Sequence, residues 1–288
     1  MFACTLFGID RQVYYRKIKR RIIKQDKARL VVDMVVEIRQ QMPRIGAKKL
    51  YYLLTTELKT LKIGRDKFID ILRANHLLIV PKRCYHVTTN SHHRFRKYKN
   101  QLLDLQINKP EQVWVSDITY IGKREKPCYL SLITDAYSKK IVGYNVSDNL
   151  STESSLIALR LAIKQRKNKD FVLIHHSDRG LQYCANEYQK LLSKNRIKPS
   201  MTQNSDPYEN AVAERINGIL KQEFYIDKYH KDLPIMKQII KETIEIYNEK
   251  RPHLSNQMLT PNQMHQQCEI KMKTYKTKNS IKNVFDAV

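Results

Sequence analysis

Acidic residues are scarce in this chain of 288 residues: 28 Asp and Glu stand against 53 Lys and Arg, a formal net charge of +25. The surplus is uneven. Residues 1–110 hold 25 basic against 8 acidic residues, and runs such as RKIKRRIIK (16–24) and RFRKYK (94–99) concentrate it. A basic front end ahead of a mixed remainder points to nucleic acid as partner. Glycine is also sparse, with 7 residues, and there is no Gly-rich phosphate loop and no internal repeat. The five cysteines (Cys4, Cys84, Cys128, Cys184, Cys268) are odd in number and form no CxxC pair, which argues against a disulfide framework. Cys84 and His86 with His92 and His93 fit no common zinc-finger spacing. No apolar run approaches membrane-spanning length. The opening MFACTLFGID lacks a basic region before its short apolar stretch, so no signal peptide is expected. These absences fit a reduced cytoplasmic protein with no membrane partner, associated with the nucleoid when bound to DNA.

Against this shortage, three of the acids stand in distinctive contexts. Asp117 lies in VWVSDITYI, Asp178 in LIHHSDRGLQY and Glu214 in PYENAVAERINGILKQEF. Val113 to Ile121 is rich in β-branched and aromatic residues without clean alternation, which predicts a central strand covered on both faces. An aspartate inside such a strand is costly unless its charge is compensated, as a divalent cation would do.

The pattern along the chain predicts four modules. Residues 1–78 form a helical, helix-turn-helix-like DNA-binding module: a helix over 10–42 capped by Asp10, then helices near 48–58 and 65–75, the last with Phe68, Ile71 and Leu72 on one face. Residues 79–110 form a basic linker running along a polyanion, with Arg94, Arg96, Lys97 and Lys99 as DNA contacts. Residues 111–225 form the core, and residues 226–288 a helical extension, with a helix at 233–248, and a basic tail. Within the core, strands at 113–121, 127–135 and 140–147 form an antiparallel meander. A helix capped by Ser151, a strand at 171–175, a helix at 185–195 and a strand at 198–201 follow. The order β-β-β-α-β-α-β-α is that of an α/β, ribonuclease H-like fold with a mixed five-stranded sheet. In the last helix, Asp206-Pro207-Tyr208-Glu209 has the form of a capping box. Val212, Ile216, Ile219, Leu220 and Phe224 form its apolar stripe. Glu214 falls off that stripe, on a face with Asn210, Ala211, Asn217, Gly218 and Lys221. Small residues there admit a bulky ligand, and Asn217 and Lys221 are candidate DNA contacts. Asp135, Ser177 and Tyr183 are read as structural. His176 is a supporting candidate that could orient water or a phosphate, or could be a satisfied strand-end histidine.

These motifs resemble the OrfB transposases of the insertion-sequence-3 family, whose core is similar to retroviral integrase. The segments that carry the likeness are VWVSDITYI, LITDAYSKKIVGY, HHSDRGLQY, SMTQNSDPYENAVAERINGILKQE and YNEKRPH, with a looser match over PRIGAKKLYYLL and IGRDKFIDILRANHLL. The chain departs from the family at Ser205, where Gly is common, and at Glu209, where Asp is common. The resemblance implies a DDE triad of Asp117, Asp178 and Glu214, magnesium as cofactor, and 3′-end nicking followed by strand transfer. It also implies binding to terminal inverted repeats and target DNA, a homo-multimer assembled on DNA, and an upstream-frame DNA-binding protein as partner or fusion. Two Mg²⁺ ions, with Mn²⁺ able to substitute, would relieve repulsion among the three carboxylates. In that scheme Asp117 bridges both ions, Asp178 ligates one and Glu214 the other. A ribonuclease H-like nuclease and a non-catalytic DNA-binding derivative of a transposase are the alternatives.

Overall fold

The computed structural model describes residues 8, 10–80, 98–102, 105–122, 127–203, 210–229 and 232–267. A long helix opens it, α1 (Arg11–Gln41), and Asp10 caps it by accepting hydrogen bonds from the Gln12 and Val13 amides. The chain between Pro43 and Gly46 breaks the helix, and short helices follow: α2 (Ala47–Leu53), α3 (Thr55–Thr60) and α4 (Arg65–Ala74). The segment expected as one helix over 48–58 is thus two, interrupted at Leu54. Val31 and Val35 of α1 pack with Leu50, Leu58, Phe68 and Leu72, all buried. Helical spacing puts these side chains on single faces of their helices, and that burial is what holds such short helices in place.

The core is built on β1 (Val113–Gly122), β2 (Pro127–Asp135), β3 (Ile141–Ser147), β4 (Leu173–Ser177) and β5 (Ile197–Met201), ordered β3-β2-β1-β4-β5. The first three form the expected antiparallel meander, and β4 and β5 add in parallel beside β1. β1 is therefore central, as its unbroken apolar start predicts. Helix α5 (Thr152–Gln165) follows Ser151, which stands at the cap position without a side-chain bond. It crosses so close to β3 that a side chain at Gly143 would collide with the Ala158 carbonyl. The strand expected at 171–175 lies two residues later. Phe171 and Val172 are exposed, and pairing begins at Leu173. Next come α6 (Leu181–Cys184), α7 (Asn186–Lys194) and α8 (Ala211–Glu223). The proposed capping box at 206–209, with Ser205, lies outside the described residues, as do the basic residues Arg94, Arg96 and Lys97.

The extension consists of α9 (Leu233–Lys250), a 3₁₀ turn at Leu254–Asn256 and α10 (Pro261–Gln266). Its sequence predicts an apolar face of Met236, Ile239, Ile240, Ile246 and Tyr247; Met236, Ile240 and Tyr247 are buried together with Ile244, Ile239 and Ile246 are partly buried, and this face joins the same core as the N-terminal helices. Two polar clusters fasten it. In the first, Asp135 at the end of β2 is fully buried and accepts bonds from the Glu111 amide and from Ser138, confirming a structural role. Ser138 Oγ reaches His265 Nδ1 on α10 at 3.0 Å. The His265 ring stands 3.8 Å from both Glu111 and Asp135, a separation for ionic attraction rather than hydrogen bonding. Burial opposes charge on Glu111, yet His265 and the amides of Lys167 and Asn168 hold its pKa down to about 2.

In the second cluster, Arg251 of the RPH segment is 2% exposed and binds Glu223 with two bonds of 2.9 and 2.8 Å. Lys49 of α2 reaches the same carboxylate at 3.3 Å, and the Arg44 amide bonds the Glu223 carbonyl. Glu223 at the end of α8 therefore ties three distant parts of the chain together. Removing it leaves two part-buried cations facing each other, so Glu223→Ala is expected to cost about 3 kcal/mol of unfolding free energy. Urea denaturation measures this; a loss of only a few tenths would show that the cluster contributes little.

Candidate active site

Parallel pairing of β1 and β4 brings the first two acids together. Ser116 pairs with Ser177, so Asp117, midway along β1, stands beside Asp178, the residue that follows the end of β4. Asp117 is part-buried between paired neighbours. Its Oδ1 accepts from the Ile118 amide at 2.9 Å, and its Oδ2 from the Asn217 side chain at 2.7 Å. Asp178 is held by the Gly180 amide at 3.0 Å. A Cβ at position 180 would stand 2.9 Å from the Asp178 carboxylate, so a larger residue there would displace that side chain. Arg179 secures the turn from the other side by donating to the Thr202 carbonyl.

Glu214 lies in the first turn of α8 and is exposed, off the apolar stripe as its spacing predicts. Two amides on α8 orient the helix on β1: Asn210 donates to the Ser116 carbonyl at 3.2 Å, and Asn217 to Asp117. Asn217 was expected to contact DNA. It is instead 6% exposed and committed to Asp117, so it positions a carboxylate. The readable signal was its place one turn beyond Glu214, on the helix edge nearest the central strand. Lys221 sits 4.8 Å from the centre of the Tyr120 ring. Burial lowers its pKa while Asp117 and Asp227 oppose that shift. Lys99 is exposed.

His176 is fully buried, and its Nδ1 meets Ser200 Oγ at 2.9 Å, so it joins β4 to β5. Tyr183 is also buried, in an aromatic cluster with His175 and Tyr188. Burial, with Tyr188, Asp117 and Asp178 adding to it, pushes its phenol well above the usual range, which keeps it neutral. Both fit structural roles.

The electrostatics set the chemistry. Burial and the nearby Asp178 push the Asp117 pKa up to about 7, Glu214 adding a smaller push, against the bonds from Asn217 and Ile118. Partial desolvation raises the exposed Glu214 too. Among the described residues no three His, Cys, Asp or Glu side chains form a ready-made metal cage. The donors that meet around Asp117 are nevertheless hard carboxylate oxygens whose mutual repulsion a divalent cation would relieve. That donor set fits magnesium or manganese and is wrong for a soft-metal site.

Integrase core domain models match residues 107–207 and 195–261. The transposase InsF of insertion sequence IS3A from Escherichia coli strain K12 is 32% identical over 161 residues, 56% of each chain. The insertion element IS600 uncharacterized 31 kDa protein of Shigella sonnei is 32% identical over 256 residues, 87% of this chain and 92% of that protein. This chain belongs to the transposases of the insertion-sequence-3 family. The transposase is a polynucleotidyl transferase of the DDE class. In shape it is similar to the HTLV-2 integrase catalytic core domain in complex with magnesium, at 19% identity and a TM-score of 0.43, over 55% of this chain and 97% of that one. Among its described residues no helix is long and apolar enough to cross a membrane.

The raised Asp117 pKa has a thermodynamic consequence. Between the ordinary carboxylate value of 3.8 and about 7, the folded transposase holds a proton that the unfolded chain has lost. Stability from this residue is therefore present at low pH and falls as pH rises through that window. Asp117→Asn removes the penalty. In metal-free buffer the variant is expected to melt higher than its parent at pH 8, with the advantage vanishing near pH 4. Thermal unfolding across pH checks this; equal melting temperatures at pH 8 would contradict it.

Proposed function

We infer that this transposase cuts the 3′ ends of its own insertion sequence and joins them to target DNA, using Asp117, Asp178 and Glu214 as the catalytic triad. The observation that supports this most is the pairing of β1 with β4, which sets Asp117 beside Asp178 while two asparagine amides orient the Glu214 helix on the same strand. The three carboxylates would hold divalent cations, which when bound lower the pKa of the attacking water or 3′-hydroxyl and stabilise the leaving oxygen. Asn217 and the Ile118 amide fix the orientation of Asp117, and the Gly180 amide fixes that of Asp178. Lys221, placed on the Tyr120 ring two turns beyond Glu214, is positioned to hold a DNA phosphate. No covalent bond between protein and DNA is needed, so no serine or tyrosine nucleophile is invoked.

The terminal inverted repeats and the target are the DNA partners. Residues 1–78 would read the repeat, and the basic stretch including Arg94, Arg96, Lys97 and Lys99 would follow the phosphate backbone. Two DNA ends must be brought together for joining, which favours a homo-multimer, with an upstream-frame protein or fusion as a further partner.

The test is a plasmid carrying both element ends, incubated with the transposase or its Glu214→Gln variant, with and without Mg²⁺. Joined or branched products that require both Mg²⁺ and Glu214 are expected, with activity in the variant reduced at least 10²-fold. Nicking without joining would instead indicate a nuclease. Joining that survives in Glu214→Gln would overturn the triad.

A further inference from the structure

The side of α8 away from Glu214 forms the floor of a second concavity, of about 340 Å³. Val212, Ile216 and Ile219 supply that floor. Cations from four separate segments converge on it: Lys49 from α2, Lys139 from the turn between β2 and β3, Arg215 from α8 and Arg251 from the RPH segment. A lysine-rich surface would scatter its charges, whereas these are built in. Arg251 and Lys49 are buried. Lys139 sits in the left-handed region at φ 64, with its carbonyl held by the buried Tyr247 hydroxyl at 2.8 Å. Asn256 bonds the neighbouring Ser138 carbonyl at 2.7 Å, so the 3₁₀ turn and α9 together fix the turn that presents Lys139. A non-glycine residue kept in that backbone region must be held there by its surroundings.

The charges do not cancel. Two carboxylates meet these four cations: Glu223, shared by Lys49 and Arg251, and the buried Asp135, which acts on Lys139, whose ammonium also donates to the Ala136 carbonyl. Arg215 makes no hydrogen bond or ion pair to another described residue. His253, also in the wall, is held neutral: burial, then Arg251 and Lys49, pull its pKa down to about 2. Burial and Arg251 likewise pull Lys49 down to about 8, against Glu223. A concavity with surplus positive charge and restricted solvent favours an anion.

We propose that this pocket binds a phosphate of the DNA backbone, at a point distinct from the phosphate being cut. The proposal rests on the DNA substrate inferred above. α8 would then touch DNA on two faces, with Glu214 on one and Arg215 on the other. The YNEKRPH segment gains a purpose here, because Arg251 and His253 wall the pocket while Tyr247 holds the Lys139 turn.

The experiment is fluorescence anisotropy of labelled end DNA across a KCl series in metal-free buffer, so that binding is read without cleavage. Arg215→Gln and Lys139→Gln leave the Glu223 cluster in place and serve as the probes. Each is expected to lower the slope of log Kd against log [KCl] by about 1, and the pair by about 2. Arg215→Lys should restore the slope. Lys190→Gln removes an exposed charge from α7 and should leave the slope near the parent's. Parental slopes in both probe variants would overturn the pocket while leaving DNA binding intact. An equal fall for Lys190→Gln would also overturn it, as a mere effect of net charge. Failure of the parent to bind end DNA at all would overturn the DNA reading, and the pocket with it. Stabilisation of the parent by inorganic phosphate with no change in the variants' DNA slopes would make the pocket a free-anion site and contradict the proposal.

Discussion

The crowding of negative charge midway along the central strand, beside the end of β4, governs this structure. Asp117 cannot leave the site, because β1 is paired on both sides and buried at its start. It cannot ionise freely either, because burial and Asp178 oppose its charge. Much of the surrounding design answers that conflict. Asn217 and the Ile118 amide spend their hydrogen bonds on Asp117, and a glycine makes room for the amide that holds Asp178. A site that strains against its own charge without a cation gains the most when one binds.

Precision at α8 depends on contacts far from the chemistry. The helix is anchored at one end by Asn210 on the Ser116 carbonyl and at the other by Glu223, which collects Arg251 and Lys49. The N-terminal helices and the C-terminal extension therefore bear directly on the element that carries Glu214. One apolar core runs through all three parts, joining Val35 and Phe68 to Ile216, Leu220 and Tyr247. The front helices and α8 are thus joined by an ion-pair cluster and by packed side chains.

Much of this was legible in the sequence. The meander, the centrality of β1, the Asp10 cap and the apolar stripe of α8 follow from periodicity and cap chemistry, because those signals are local. The off-stripe position of Glu214 follows from helix geometry in the same way. The errors fell where a local signal has two readings. Phe171 and Val172 look like strand, yet they precede the sheet and are exposed, while Arg166 bonds the Phe171 carbonyl. Asn217 looks like a surface amide and is a buried donor, because only the fold reveals that its helix face meets Asp117. The RPH segment carried no local meaning at all. Its partner Glu223 lies 28 residues away, and Tyr247, just before it, bonds a turn more than 100 residues away.

If Asp117, Asp178 and Glu214 share divalent cations, diffraction from crystals of the transposase soaked in Mn²⁺, recorded at the manganese edge, reads it directly. Anomalous density is expected within coordination distance, about 2.2 Å, of the Asp117 carboxylate. Asp178 or Glu214 would complete the ligand set. Manganese bound elsewhere, with the Asp117 carboxylate left uncoordinated at a saturating concentration, would contradict it.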